Sequence, residues 1–409
     1  MFRQELGKLI ERNNIVSLYL IAFLVPFNPK FLGPAILLFF IESILKRNFN
    51  TITTIKKSLN FKQTFIWLML FYAMHFTGML YSTNTSFGWM DIGMKASFII
   101  FPLLFIVFNF RINFPVFLKF FIFGAILSVI ICFYLSYLNY AETGNSWHFR
   151  ESYLSHFMHR SYWATYLVFA LISTIFLMVK KQFNLILGFV LALLFLSTTI
   201  ITGSKSGIAI MMISGLVIML YVGYETKKWK MIFFIIVASL VTMTSTLSFF
   251  PTIKNRISNS IIQILNPSQD TTKDQSTNNR LVMWETSWEL IKEKPLFGVG
   301  TGDIKDKLKD MNLERGNLEE AEKNLNSHNQ FLNTWVAIGV FGVVFLFLFF
   351  LIPFIYPQED YKAIIRIFVF ILFASLLGES FLETQAGIIP IAFLMSVLGS
   401  NRLKSNYNL

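Results

Sequence analysis

Residues 331–356 run for 26 positions without a charged side chain. A bilayer's hydrocarbon core, about 30 Å thick, is crossed by roughly 20 apolar residues in a helix. A stretch of this length and composition predicts a membrane-spanning helix. Eleven further apolar runs accompany it, at 15–27, 31–45, 61–80, 92–109, 115–139, 162–179, 183–201, 206–224, 231–250, 361–377 and 384–400. The predicted fold class is therefore an all-α integral membrane protein with about twelve transmembrane helices. The first two runs are short and separated by Asn28, Pro29 and Lys30, so they form either a tight hairpin or one broken helix. Composition agrees: 55% of residues are hydrophobic and 14% charged, where soluble domains carry about 25% charged residues.

Charge sets the orientation. With the N-terminus in the cytoplasm, nineteen Lys and Arg fall in cytoplasmic segments. Only five, Lys30, Lys95, Arg150, Arg160 and Lys205, fall in short outer ones. Basic loops stay inside, so both termini are predicted cytoplasmic. The formal charge of +12 then reflects those loops and not nucleic-acid binding. Arg3, Glu5, Lys8, Glu11 and Arg12 precede the first apolar run without a cleavable-signal pattern, which predicts a retained first span. Cys132 is the single cysteine, so no intrachain disulfide can form.

One segment is long and polar: 251–330, predicted outside, between a membrane block at 1–250 and another at 331–409. Its eleven basic and twelve acidic residues nearly balance. Its middle, 266–279, reads as surface loop. An amphipathic helix is predicted at 280–294, with Leu281, Trp284, Trp288 and Ile291 on one face, stopped by Pro295. Gly298, Gly300 and Gly302 follow; they lack the dinucleotide-binding spacing and predict a tight turn that folds the loop back onto the membrane face. A second, more polar helix is predicted at 303–322.

The loop delivers His328, one of five histidines, to the start of the 331–356 run. Histidine titrates near neutral pH and can take a proton from a hydroxyl nucleophile, with Asn329 beside it to bond the ring or a substrate. The plainer reading is a helix-start histidine that bonds backbone groups. Lys205, in Thr202-Gly203-Ser204-Lys205-Ser206-Gly207, is either a phosphate ligand or a lysine reaching to the interface; the phosphate-loop spacing is absent. Arg280 opens the loop helix, where its fork of donors suits a diphosphate or simply solvent. His148, Arg150, His156, His159 and Arg160 cluster before the 162–179 run. His156 and His159 are three apart, as metal ligands can be, but only Glu151 stands near, so packing at the interface or a polar wall facing substrate are the competing readings. Glu379 and Glu383 flank the last turn, and one of them is expected to pair with Lys205, Arg280 or His328.

Together these residues resemble a known family. His328-Asn329, nine residues, then Gly339-Val340-Phe341-Gly342 resembles the histidine motif of the O-antigen ligase and polymerase superfamily of bacterial membrane glycan transferases. Arg280-x3-Trp284 with the 295–302 stretch, and the 202–207 segment holding Ser204 and Lys205, resemble the motifs that precede that histidine. The resemblance implies a metal-independent glycosyltransferase, needing no cofactor, in the bacterial inner membrane with its site facing the periplasm. It implies transfer of a glycan from undecaprenyl diphosphate to a hydroxyl of lipid A–core, or to a growing glycan in the polymerase alternative. His328 is then the catalytic base or acceptor-orienting group, and Arg280 and Lys205 bind the diphosphate. Asn329, Ser204, Arg160, His159 and Glu383 are the expected supporting residues. Lys205 departs from the family arginine: it keeps the charge and loses the planar fork. A mobile loop over a membrane cavity would close the site. A polysaccharide flippase also has about twelve spans, but its ionisable groups lie near the bilayer midplane, whereas the polar candidates here collect at the predicted outer surface.

Overall fold

The structure, a computed structural model, describes residues 15–46, 49–227, individual positions between 229 and 258, 275–400 and 402–404. Among the described residues regular structure is helical, apart from a two-residue parallel pairing of Ile112–Asn113 with Leu403–Lys404 and a bridge between Phe49 and Phe108. Seven helical stretches are long and apolar enough to cross a membrane: Thr64–Tyr81, Thr85–Val107, Phe114–Thr143, Arg160–Val179, Lys205–Thr226, Gln330–Ile355 and Glu359–Gly378. Leu185–Ile201 and Gln385–Leu398 are apolar but shorter. The chain is thus an all-α membrane protein. Arg3, Lys8 and Arg12 lie outside the described residues, as do 266–274 of the loop's polar middle and most of the span expected at 231–250.

The first two short runs fold as a hairpin. Glu42, late in Leu32–Leu45, accepts from the backbone N–H groups of Val16 (2.9 Å) and Ser17 (2.8 Å) at the start of Val16–Leu24. A carboxylate there satisfies orphan donors and opposes the helix dipole.

Loops sort into two groups. Residues 49–50, 106–113, 358 and 402–404 bond to one another: Asn50 reaches the carbonyls of Ile106 and Phe108, Arg402 the carbonyl of Phe108, and Gln358 the backbone of Leu403. Residues 82–84, 161, 277–280, 300–303, 328–330 and 379–383 form the second group, detailed below. Thr85–Val107, Gln330–Ile355, Lys362–Gly378 and Gln385–Leu398 each lead from one group to the other. The two groups therefore lie at opposite ends of these helices. Arg160–Val179 runs through the centre, with 83% of its apolar window buried. Phenylalanines fill the interior, with Phe169 stacked on Phe368 at 3.9 Å and Phe71 edge-on to Phe98 and Phe349.

The long helix that follows His328 is broken. Ile338 (φ −132°, ψ 17°) and Gly339 (φ 71°, ψ −169°) leave helical geometry within Gln330–Ile355. In an unbroken helix Val340 N–H would donate to Val336 C=O. Here Val340 donates to Pro295 O (3.1 Å), while Val336 O accepts from Val299 (2.8 Å) and Ala337 O from Gly300 (2.9 Å). The 295–300 strip therefore replaces the partners that the break removes. Gly298 (φ 69°) permits this approach, since a Cβ there would lie 2.5 Å from Val336 O. The strip, with turns at 295–297 and 301–303, folds back onto the membrane helices and enters the helix break.

Asp303 fixes the end of this strip. Its carboxylate accepts from Thr83 N–H, Thr83 Oγ1 and Asn84 N–H at 2.7–3.0 Å. Thr301 Oγ1 donates to His75 O (2.7 Å), Gly302 N–H to Ser82 Oγ (2.9 Å) and Tyr81 OH to Phe297 O (2.5 Å). These hydrogen bonds anchor this part of the loop to the membrane helices.

The loop helix is Gln275–Glu293, so 275–279 are helical and not surface loop. It buries Met283, Thr286, Ser287, Leu290 and Ile291, while Leu281 and Trp288 are exposed. Of the face expected from Leu281, Trp284, Trp288 and Ile291, Ile291 is buried but Leu281 and Trp288 are not; the buried face is rotated because small and polar residues face the neighbouring loop. Thr286 Oγ1 bonds Asn312 (2.7 Å) and Ser287 Oγ bonds Ser327 (2.8 Å). The helix expected at 303–322 is two, Ile304–Glu314 and Leu318–Glu322, parted at Gly316 with φ 76°.

Candidate active site

Glu379 is the hub. It follows the last residue of Lys362–Gly378 in extended conformation and is 5% exposed. Its Oε2 lies 3.0 Å from His328 Nδ1. Its Oε1 accepts from Arg280 Nη2 (2.5 Å) and Ser161 Oγ (3.3 Å). Three separate parts of the chain thus meet on one carboxylate: the loop helix, the junction before Gln330–Ile355, and the start of Arg160–Val179. Burial alone would push the Glu379 carboxyl up; the hydrogen bond from His328 and the charges of Arg280 and His159 outweigh it and hold the group down at about 2.

His328 is held in an uncommon backbone conformation, φ 46°, where a side chain with a Cβ is strained. Its neighbours hold it there. Its N–H donates to Asn326 Oδ1 (3.0 Å). Ser327 is fully buried and bonded to Ser287 and Asn333. Asn329 caps the helix, its Oδ1 accepting from Phe331 (2.9 Å) and Leu332 (3.2 Å). Asn329 therefore uses its side-chain oxygen on the backbone, and the ring of His328 points to Glu379 instead.

Lys205 begins Lys205–Thr226, and its Nζ donates to Thr277 Oγ1 (2.6 Å). Thr277 and Arg280 lie one turn apart on the loop helix, on neighbouring positions of its surface, so the two expected phosphate ligands border the same helix end. Ser204 caps the Lys205 helix, accepting from Gly207 N–H (3.1 Å), and its hydroxyl reaches Ser161 Oγ at 3.4 Å. A relay of hydroxyls thus leads from the Lys205 helix to Glu379.

His159 caps Arg160–Val179 through Nδ1, which accepts from Ser161 N–H (3.4 Å). Burial, with Arg160, Arg280 and His328 close by, keeps its pKa below the ordinary histidine range, although Glu379 pulls the other way. Arg160 Nη1 pairs with Glu151 Oε2 at 3.0 Å. His156 bonds Ser136 (3.0 Å) and His148 bonds Thr143 (3.1 Å), so these two histidines face other partners.

Glu383 belongs to a different group. Its Oε1 accepts from Gln330 Nε2 (3.3 Å) and lies 3.6 Å from Lys95 Nζ. Lys95 also pairs with Asp91, and His75 Nδ1 is 3.7 Å from Asp91 Oδ2. Lys95, counted from sequence among outer-loop charges, is 1% exposed inside the helix bundle. Burial pushes the Glu383 carboxyl up, against the pull of Lys95. Gln330 Oε1 accepts from Leu382 N–H (2.7 Å), which ties this second group to the helix start beside His328.

The fold and site define a multi-pass helical membrane protein whose basic side chains converge, at one end of the bundle, on a buried carboxylate and a helix-start histidine. Residues 189–347 match the family model for O-antigen ligase, which supports an O-antigen ligase superfamily assignment. The chain is also similar to an uncharacterised protein of Haemophilus influenzae (strain ATCC 51907 / DSM 11121 / KW20 / Rd), 28% identical over 191 residues, or 46% of this chain and 47% of that one. The chain spans about half the length of that relative. His159, Arg160, Ser161 and Glu379 stand outside the family match, so half of the polar centre comes from flanking sequence.

Proposed function

We propose that this protein transfers a glycan from undecaprenyl diphosphate to a sugar hydroxyl of lipid A–core, at the periplasmic face of the bacterial inner membrane. The observation that carries the reading is the convergence of Arg280, Lys205, Arg160 and His328 on helix ends beside Glu379, in a chain of the O-antigen ligase superfamily. Cations at this density suit a diphosphate, and Arg280 offers a planar fork that Lys205 lacks.

The chemistry asks little of the protein beyond placement and charge. The acceptor hydroxyl oxygen forms a bond to the anomeric carbon of the donor sugar. The bond from that carbon to the diphosphate oxygen breaks, and its electron pair leaves with the diphosphate. The hydroxyl proton passes to His328. Arg280 and Lys205 steady the charge that builds on the leaving group, and the anchored loop keeps the reacting atoms together and away from water. No metal or cofactor enters this scheme.

Membrane glycolipids of a deletion strain test the assignment. Loss of all glycan from lipid A–core, with long chains still present on the carrier lipid, is the predicted result. Single repeat units left on the core would identify a polymerase instead.

A further inference from the structure

We propose that Glu379 is the positioning residue of the transfer site, fixing which nitrogen of His328 faces the acceptor hydroxyl. The inference rests on the transferase reading above. A carboxylate that is ionised can only accept hydrogen bonds. Both Glu379 oxygens are occupied by donors, Oε1 by Arg280 and Ser161 and Oε2 by His328 Nδ1. Nδ1 must therefore carry the ring proton, which leaves Nε2 with its lone pair available to a hydroxyl. The same carboxylate then stabilises the imidazolium once His328 has taken the proton.

The placement of Glu379 is itself over-determined. The next residue's carbonyl, Ser380 O, accepts from Tyr162 OH (3.4 Å), and the Tyr162 ring packs on Phe381 at 4.2 Å. The groups that face the pair are Arg280 from the loop helix, and His159, Arg160 and the Ser161 hydroxyl from the start of Arg160–Val179. Glu383, four residues on, bonds Gln330 and stands beside Lys95. Glu379 is thus the one carboxylate shown bonded to His328 among the described residues. A merely structural clip would explain the Arg280 contact, but would not need its second oxygen aimed at Nδ1.

Two readouts test this on the purified full chain in lipid vesicles. The first is transfer kinetics with an undecaprenyl-diphosphate glycan donor. Glu379→Gln should lower kcat about tenfold or more without raising the donor's KM, because Arg280 keeps its place and loses a competing anion. Glu379→Asp keeps the charge on a shorter stem and should recover part of kcat. The second is solid-state NMR of isotope-labelled histidine, with the His328 signal assigned by its absence in His328→Gln. The wild type should show a proton on Nδ1, and Glu379→Gln should lose that preference. A wild-type kcat in Glu379→Gln, a raised KM at unchanged kcat, or an unchanged Nδ1 proton signal would overturn the proposal. Should no form of the protein transfer glycan, the functional reading fails, and the NMR arm still decides whether Glu379 sets the tautomer.

Discussion

Gly339 lies so close to Leu296 that a Cβ on it would stand 2.0 Å from the Leu296 carbonyl oxygen. Its backbone, φ 71° and ψ −169°, is also in a region essentially reserved for glycine. The His328-to-Gly339 spacing therefore has a physical meaning: the histidine opens a helix, and the glycine breaks it where the loop strip enters. Gly342 adds to this, since a Cβ there would meet the Ile338 side chain at 2.3 Å.

Gly339→Ala should expel the 295–300 strip. The expected loss of stability is several kcal/mol, since backbone strain and a lost set of buried hydrogen bonds combine. Limited proteolysis should then cut within 295–303, where the wild type resists. Gly215→Ala is the control: a Cβ there meets nothing within 4 Å, and this variant should match the wild type.

Lys205 should be replaceable by arginine and not by alanine. Lys205→Arg keeps the cation beside Thr277 and adds a planar fork, so transfer should be retained or raised. Lys205→Ala should lose about tenfold or more in transfer rate. Equal rates for all three proteins would remove Lys205 from the diphosphate site.

Asp303 makes the anchoring of the loop dependent on acid. Burial raises its pKa, but N–H groups of Asn84 and Thr83 outweigh that, and the net direction is down. A carboxyl lowered in the folded protein stabilises fully above its unfolded value, about 4. The contribution is lost as pH falls through the lower folded value. Glu379, held at about 2, follows the same sign. Thermal stability should thus be insensitive to these two groups between about pH 5 and 8 and should fall below about pH 4. Asp303→Asn should show the loosened strip already at neutral pH, read by the same proteolysis.

Much of this was legible in the sequence, for local reasons. Apolar runs and basic loops give the helices and their alternation. The His328, Gly339 and Gly342 spacing is a short-range pattern, and Arg280 and Lys205 sit in short motifs. Contacts across long separations were legible only in part: one of Glu379 and Glu383 was expected to pair with Lys205, Arg280 or His328, and Glu379 meets two of these three. Glu379 meets His328 across 51 positions and Arg280 across 99, and nothing local separates it from Glu383. The pair itself stands out by isolation, since they are the only charged residues between Arg366 and Arg402. The rotated face of the loop helix was hidden too, because Thr286 and Ser287 are buried through hydrogen bonds that hydropathy does not register. Lys95 looked like an outer charge because Asp91, its partner, belongs to the same helix turn and the chain's burial there is tertiary.

The central claim is that His328 acts in glycan transfer from a lipid diphosphate. The most direct measurement is transfer by purified protein in vesicles, with a defined undecaprenyl-diphosphate glycan and a lipid A–core acceptor, comparing wild type with His328→Ala. The account predicts transfer by the wild type and none by His328→Ala, at matched insertion and with melting temperatures within about 2 °C. Transfer by His328→Ala at near the wild-type rate would contradict it.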